Sequence, residues 1–460
     1  MKNSICVPKS LRDLSSRLAS PVPLYLVGGG VRNALLGLPD SDYDLTGALD
    51  ASTFCALAQK AGYKALIRSS HMGTVEIRLE DQILEYTTFR IESYAPGGGH
   101  HPEQVVFTTS LEEDAKRRDF TANALYADLA TGQISDPLQG RKAIAAKQLR
   151  ACRPNATDTL KDDGLRLLRM ARFAGELGFS IEPALMQAAR QYAEQIHAIS
   201  KPRVWNELKK IVLADVPYHT TGGHIIAMEA LEQSGVLFAL IPELKEGDGL
   251  LQSERYHAYD VLHHNLACYA ASESDLVLRW AALLHDVGKP KAKRETGRMI
   301  RHDIIGAALC PGIFFRLGAD NDTIQGVQLL VARHMFDLEG TARVNTVRKR
   351  FALWGFEFAQ NLIAMRRYDV AGSGRPMGPV DTAGRWEGIL RQMKQEGCID
   401  QINQLKISGQ EIMQACGLAP SPMVGKIKQA LFEYCAIDPA YNENAKLRDM
   451  APKLYRQFLN

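Results

Sequence analysis

Two periodicities divide the chain. From Leu24 to about Asp128, short runs with apolar residues at alternate positions (LYLVG, YDLTGAL, TVEIRLE, ILEYTTF and QVVF) are separated by turn residues and two stretches of helical spacing. Such alternation marks half-buried strands interleaved with helices. After about Arg150 the spacing changes: in LKDDGLRLLRMARFAGELGF apolar residues recur every three or four positions, which is one face of a helix. Almost everything downstream repeats that pattern. The predicted fold class is therefore α+β, an α/β head followed by an all-helical neck, body and tail. Gly and Pro collect near Cys152 to Ala156, around Asp215 to Gly223, and in GSGRPMGP from Gly372 to Pro379. Breaks at these points give a head over 1–150, a neck over 151–220, a body over 221–375 and a tail over 376–460. The chain has no internal repeat and no low-complexity tract.

Composition changes this picture little. At 460 residues the chain exceeds what one core usually supports, which agrees with several domains. A 46% hydrophobic content excludes a disordered chain. The net charge of +3 and pI near 8.3 permit an anionic partner without announcing one. Eight cysteines form no CxxC pair, so their spacing indicates neither a zinc site nor a disulfide framework. MKNSICVPKSLRDL lacks the apolar core of a signal peptide, and no stretch approaches the roughly 18 apolar residues of a membrane span. A reducing, cytoplasmic setting with no membrane partner is expected.

Chemistry first enters in LYLVGGGVRNALLGLPDSDYDLTGAL, which reads as strand, glycine turn, short helix, and a second strand carrying Asp42 and Asp44. Strand residues two apart share a face, so these carboxylates would converge on one spot that can hold divalent metal. Gly28 and Gly29 would let backbone approach phosphates, the helix would aim its N–H groups at them, and Arg32 would add a bidentate donor. A tight turn and a solvated loop would account for either feature alone; together they form a triphosphate-and-Mg²⁺ site. Neither GxxxxGK[ST] nor GxGxxG describes the segment, the latter because position 33 is Asn.

GGGVRN followed by DSDYDLT resembles the head signature of class II tRNA nucleotidyltransferases (CCA-adding enzymes) and bacterial poly(A) polymerases. The resemblance implies a polymerase-beta-like nucleotidyltransferase head built on a mixed sheet. KRRDFTANALYAD, from Lys116 to Asp128, is similar to the family's second head motif, and by that resemblance Arg118, Asp119 and Asn123 would contact ribose and triphosphate. Read from its residues alone, the segment is an Arg-rich turn leading into an apolar helix. One departure is Asn33, where the family usually has Asp. A neutral amide could orient Arg32 but not bind metal, which leaves Asp42 and Asp44, with Glu85 of ILEYTTF as a third carboxylate.

In LKDDGLRLLRMAR, Asp163 and Arg166 are three apart and are expected on one helix face, with Arg169 and Arg172 continuing the stripe. A carboxylate beside a guanidinium can imitate a Watson–Crick edge. Arg would donate to cytosine O2 and N3 or adenine N1, and Asp would accept from cytosine N4 or adenine N6. Uracil and guanine would be disfavoured. The segment is similar to the family's nucleotide-selecting motif, with Asp162 where Glu is usual. Between FRIES and QVVF, the Gly-rich YAPGGGHHPE suits a mobile loop and occupies the family's flexible-loop position. There the resemblance implies addition of the terminal adenosine, with His100 and His101 where Arg is commoner.

Further on, DVLHHNLACYA, ALLHDVGKP, RHDIIGA, VARHMF and RRYDVAG supply His264, His285 with Asp286, His302, His334 and Asp369. Imidazoles and carboxylates on separate helices are what a one- or two-metal hydrolytic site needs, and the series has the pattern of an HD domain. By that resemblance, a divalent transition metal and hydrolysis of phosphate esters are the expectations for this body. The tail, including KISGQEIMQACGLAPSPMVGKIKQAL, is similar to the family's C-terminal region and is expected to contact tRNA without a basic run.

The expected reaction is in-line attack of an RNA 3′-OH on the α-phosphate of CTP or ATP, with Mg²⁺ on Asp42 and Asp44, and the tRNA 3′ end as substrate. Poly(A) polymerase, an enzyme adding A alone, and an HD phosphohydrolase with a nucleotide-binding head remain the alternatives. Homo-oligomerisation is left open.

Overall fold

The computed structural model describes residues 3–39, 42–95, 97–99, 102–376 and 380–459. Two compact units emerge, Met1–Lys245 with Ile313–Asp320, and Glu246–Gly312 with Asn321–Asn460.

After helix Lys9–Leu18 the first unit contains, among the described residues and interleaved with further helices, the strands β1 (Leu24–Val27), β2 (Asp44–Gly47), β3 (Lys64–Ser69), β4 (Thr74–Leu79), β5 (Gln82–Thr88), β6 (Arg90–Ser93), β7 (Gln104–Phe107), β8 (Tyr126–Asp128) and β9 (Ile134–Ser135). Seven form one sheet in the order β3-β4-β5-β2-β1-β8-β9. β2 and β5 run parallel and the other neighbours antiparallel, so the sheet is mixed as expected. β6 and β7 make a separate hairpin. Phe54 stacks on Tyr86 with ring centroids 3.7 Å apart, and Val27, Phe89, Ala115, Ala124 and Tyr126 form a buried cluster.

The expected apolar helix after Arg118 does not form. Thr121–Asn123 makes one 3-10 turn, and Tyr126–Asp128 becomes β8, paired with Tyr25–Val27. A fully buried apolar run satisfies either geometry, and the open edge of β1 decides in favour of the sheet. Past the head the unit is helical apart from Ser180–Ile181, which pairs with Gln148–Leu149. Helix Leu165–Leu177 is buried nearly all round, including Arg166, Arg172 and Glu176, so these charges require internal partners.

The second unit is helical. Helices Val261–Ala270, Leu276–Leu284, Asn321–Arg333 and Phe356–Gly372, with the part of helix His302–Leu317 up to Gly312, contain or adjoin the histidine and aspartate series. Trp386, Phe351, Met393, Ile427 and Leu431 form a core that joins helix Val344–Trp354 to the C-terminal helices. Ser408 and Glu411 cap Gly409–Cys416 reciprocally. Among the described residues no helix is long and apolar enough to cross a membrane.

Candidate active site

β2 begins at Asp44, and Asp42 lies just before it in the connecting loop, so the two carboxylates do not share a strand. Both nevertheless line one cavity of about 620 Å³. Gly28, with φ of 75°, turns the chain from β1 into helix Gly29–Leu36. A Cβ there would be strained and would lie 3.4 Å from Asp44 Oδ2. Desolvation raises the Asp44 pKa; Arg118 opposes that shift, while Glu85 and Asp42 add to it. Glu85 sits directly opposite Asp44 in the parallel register but does not line the cavity. Hard carboxylate oxygens held near one another against their own repulsion suit Mg²⁺ as a ligand set.

Arg32 is buried and held from several sides. Its Nε and one terminal nitrogen donate to Asn33 Oδ1 at 3.1 and 2.8 Å, the other donates to Asn123 Oδ1 at 2.7 Å, and Tyr218 Oη lies at 3.3 Å. Most of its donors are thus engaged with protein, which fixes the guanidinium beside the cavity. Asn33 orients it, and its amide nitrogen donates to the Pro39 carbonyl at 2.8 Å and Tyr218 Oη at 3.1 Å. An aspartate at 33 would keep the Arg32 contact but set an acceptor against that carbonyl. Asn33→Asp should therefore lower stability by about 1–2 kcal/mol, measured by urea unfolding; an unchanged midpoint would contradict this account.

The second head segment builds a basic wall on buried acids. Asp114 accepts from Arg117 at 2.7 Å, Arg118 at 3.1 Å and Tyr126 Oη at 2.7 Å. Burial would raise its pKa, but the two guanidiniums and the hydroxyl hold it at about 2. Glu92 likewise binds Arg90 at 2.6 Å and Arg117 at 3.1 Å. Asp119 accepts Arg169 at 2.5 Å, its own neighbour Phe120 N at 2.7 Å and Asn123 Nδ2 at 3.2 Å. It too is held at about 2, Arg169 overcoming the desolvation. Arg118, Asp119 and Asn123 all line the cavity.

Asp163 and Arg166 do not share a continuous helix face. Helix Ala156–Asp162 ends at Asp163, which is extended (φ −146°, ψ 108°), and the next helix starts at Leu165. Asp163 Oδ1 accepts Leu165 N at 2.9 Å, a local bond of the kind that draws Asp out of helices. Arg166 is fixed by the carbonyls of Thr159 at 2.8 Å and Arg117 at 2.6 Å. Both still line the cavity, with Arg169 and Arg172. Arg172 pairs with Glu207 at 2.7 Å and lies over Phe173, 4.2 Å from its centroid. Asp162 faces Arg153 at 2.7 Å. Burial raises Asp163 to about 6, Arg166 opposing. In the Gly-rich connection between β6 and β7, Gly98 O accepts Gly164 N at 2.9 Å, tying that loop to the break; His100 and His101 lie outside the described residues.

The histidine series of the second unit forms a cluster. His264, His285, His302 and His334 each place Nδ1 on a backbone carbonyl, of Gly372, Ala282, Met299 and Val331 respectively, at 2.8–3.1 Å. With Nδ1–H donating, each Nε2 carries a lone pair, and these pairs face one another at 3.2 Å (His264 with His285, His302 with His334). Asp286 joins the pairs, one oxygen 3.1 Å from His302 and the other 3.4 Å from His285; Asp369 lies 3.2 Å from His264. Opposed lone pairs and buried carboxylates fit divalent metal. Sequence spacing did not single out Lys289, whose ammonium contacts Asp286, or Arg366, 2.6 Å from Asp369. Each is three residues from its partner on the chain, a spacing that could have flagged it.

Family models match residues 24–150 as a poly A polymerase head domain, 178–247 as a probable RNA and SrmB-binding site of polymerase A, and 256–370 as an HD domain. The chain is 31% identical over 441 residues to the A-adding tRNA nucleotidyltransferase of Deinococcus radiodurans, covering 92% of this chain and 94% of that one. It is 32% identical over 391 residues to a multifunctional CCA protein of Neisseria gonorrhoeae, covering 81% and 89%. In fold it is similar to the Bacillus stearothermophilus CCA-adding enzyme solved with CTP, with a TM-score of 0.69, 24% identity and 98% of each chain covered. The Thermotoga maritima CCA-adding enzyme solved with tRNA has a TM-score of 0.57 at 16% identity, covering 96% and 93%. A head with paired carboxylates beside a guanidinium wall, an HD cluster, and identity across nearly the whole of a relative converge: this chain is an enzyme of the class II CCA-adding tRNA nucleotidyltransferase and poly(A) polymerase family that carries an HD domain.

Proposed function

We propose that this enzyme adds CMP and then AMP to the 3′ end of tRNA, taking CTP and ATP as donors. The observation that carries the reading is the single cavity into which Asp42, Asp44, Arg118, Asp163 and Arg166 all open. Asp42 and Asp44 would hold Mg²⁺, which when bound supplies Lewis-acid stabilisation of charge at the α-phosphate. Around it, Arg118 and Arg32 face the triphosphate, Arg32 steadied by Asn33 and Asn123. Asp119 positions Arg169 and Asn123. Asp163 and Arg166 read the base, each held by backbone and so fixed before the nucleotide arrives. The division into head, neck, HD body and RNA-contacting tail goes with this reading.

A second reading, addition of AMP alone, is favoured by the A-adding relative, whose similarity covers 92% of this chain. End-labelled tRNA transcripts lacking CCA, or ending in CC, incubated with CTP, ATP, both or neither, separate the two. Growth of the first transcript by CCA supports the proposal; growth of only the CC transcript supports the second; runs of A point to poly(A) synthesis. Extension of neither transcript would end all three.

Asp163 supplies a pH test. Its carboxylate must be ionised to accept from cytosine N4 or adenine N6, and its pKa is raised to about 6. kcat/KM for CTP and ATP should therefore fall about tenfold per unit as pH drops below about 6, and Asp163→Asn should remove that limb. The same shift has the opposite sign for stability: a raised carboxylate pKa favours the folded state as pH falls from about 6 towards 4.

We assign the HD cluster to hydrolysis of phosphate esters, on the strength of its complete set of inward-facing donors. Asp286→Ala, which removes the carboxylate joining both histidine pairs, should abolish release of phosphate from model esters and lower bound metal. Equal, negligible metal and activity in both proteins would end this assignment.

A further inference from the structure

Gly and Pro mark residues 215–223 as a break between helices, yet this loop sends one side chain back to the head. It joins helix Lys201–Val212 to helix Gly223–Gln233 and is held firmly at its far end. Thr220 Oγ1 donates to the Glu176 carbonyl at 2.5 Å. Gly175 and Gly223 let helices Leu165–Leu177 and Gly223–Gln233 meet backbone to backbone, since a Cβ at Gly223 would lie 2.7 Å from the Gly175 carbonyl oxygen. His219 takes the left-handed conformation (φ 52°), which turns the chain just after Tyr218. Tyr218 is thereby fixed in the cavity lining together with Arg32.

The hydroxyl proton of this tyrosine is left over. Asn33 Nδ2 donates to the Pro39 carbonyl at 2.8 Å, which fixes the amide, because a flipped Asn33 would set oxygen against oxygen there. The other Nδ2 proton goes to Tyr218 Oη at 3.1 Å. Arg32 can only donate, and it reaches the same Oη at 3.3 Å. Both lone pairs of the phenol oxygen are then occupied from the protein side, and its own proton has no acceptor among the described residues. Arg32 is nearly spent as well. Of the five N–H protons of a guanidinium, that on Nε and both on one terminal nitrogen go to Asn33 and Tyr218, and one on the other goes to Asn123. A single Arg32 proton remains for the cavity, too few for a bidentate grip on phosphate.

We propose that Tyr218 is a further nucleotide-binding residue, whose hydroxyl donates to an oxygen of the incoming nucleotide's triphosphate while its oxygen braces Arg32. The inference rests on the reading of this cavity as the CTP and ATP site and goes beyond it in giving the neck loop a share of the phosphates. The phenol oxygen lies 3.3 Å from the guanidinium nitrogen, so the oxygen-rich group that Arg32 faces is within reach of the hydroxyl too. One proton from each residue then supplies the pair of donors that Arg32 alone no longer has. Because the hydroxyl is oriented by two donors before any ligand arrives, it costs no reorganisation on binding.

The test follows equilibrium binding of CTP to the full-length protein without tRNA, beside KM for CTP, ATP and tRNA in the extension assay. Tyr218→Phe removes the hydroxyl and keeps the ring. Losing a hydrogen bond to a charged oxygen costs about tenfold or more in affinity, so both nucleotides should weaken by that factor and KM for tRNA should stay unchanged. Inorganic triphosphate should show the same loss and cytidine none. Two further variants separate donation from bracing, with urea unfolding showing that each is folded. Tyr218→Phe added to Arg32→Lys should weaken CTP further, and O-methyltyrosine in place of Tyr218, which keeps the oxygen without its proton, should bind CTP no better than Tyr218→Phe. No further loss in the first, or parent-like binding in the second, would mean that Tyr218 acts through Arg32 alone and would overturn the donation. A rise confined to KM for tRNA would place the hydroxyl on the RNA end and overturn it equally. If the parent extends neither transcript, the reading of the cavity falls and this inference with it; if it extends them and Tyr218→Phe leaves nucleotide KM unchanged, this inference falls alone.

Discussion

Replacing Asp44 with alanine will abolish nucleotide incorporation while leaving the fold as stable as before, or slightly more so. The two halves of this expectation have one cause. Asp44 stands at the start of a central strand, opposite Glu85 and near Asp42, where desolvation and like charge both disfavour its ionised form. Arg118 and Arg169 attract the carboxylate but do not outweigh its desolvation and repulsion, so its removal costs the fold little. Its use is to bind a cation at the reacting phosphate, and loss of such a ligand costs on the order of 10³-fold or more in kcat, about 4 kcal/mol of transition-state stabilisation. Asp42→Ala should lose activity to a similar degree. Incorporation on a tRNA ending in CC, followed beside thermal unfolding, measures both quantities. Activity within tenfold of the parent in either variant would remove the carboxylate pair from the mechanism; a large drop in unfolding temperature would mean that Asp44 is structural.

The parts of this site that lie close together along the chain were legible in the sequence, and the parts assembled across it were not. Alternation located β1, β4 and β5, and the glycine turn before helix Gly29–Leu36 was visible because a glycine run between a strand and a helix marks a tight turn. β8 was not legible. Its residues are apolar on both faces, since Ala124, Leu125, Tyr126 and Ala127 are all fully buried, and period then carries no information. The break at Asp163 was missed because one glycine is tolerated in a helix; the Asp side chain that bonds Leu165 N gave the stronger hint. Tyr218 is 186 residues from Arg32, and no local pattern announces such a contact.

The largest expected loss of stability in the head follows from Asp114, which lies outside the cavity lining. It is fully buried and accepts from Arg117, Arg118, Tyr126 Oη and the Arg90 backbone, so two guanidiniums that would otherwise repel are held beside each other by one carboxylate. Asp114→Asn keeps the shape and removes the charge, leaving Arg118 without its carboxylate and Arg117 with Glu92 alone, both partly buried. Breaking such an arrangement costs about 3–5 kcal/mol, a large fraction of what a domain has. Function should fall with it, because Arg117 and Arg118 line the cavity and Arg118 is the cation that opposes the rise at Asp44. Acid supplies the internal check. The Asp114 pKa is depressed to about 2 against about 3.9 unfolded, so its contribution is fully present above about pH 4 and is lost as pH falls towards 2. Asp119, also at about 2, loses its contribution over the same window. The parent should therefore destabilise steeply from pH 4 to 2, and Asp114→Asn less steeply, by the uptake of one proton, from a lower starting value. Urea unfolding at pH 7 and across that window would measure both, and a penalty below about 1 kcal/mol at pH 7 would mean that the basic wall stands without its central acid.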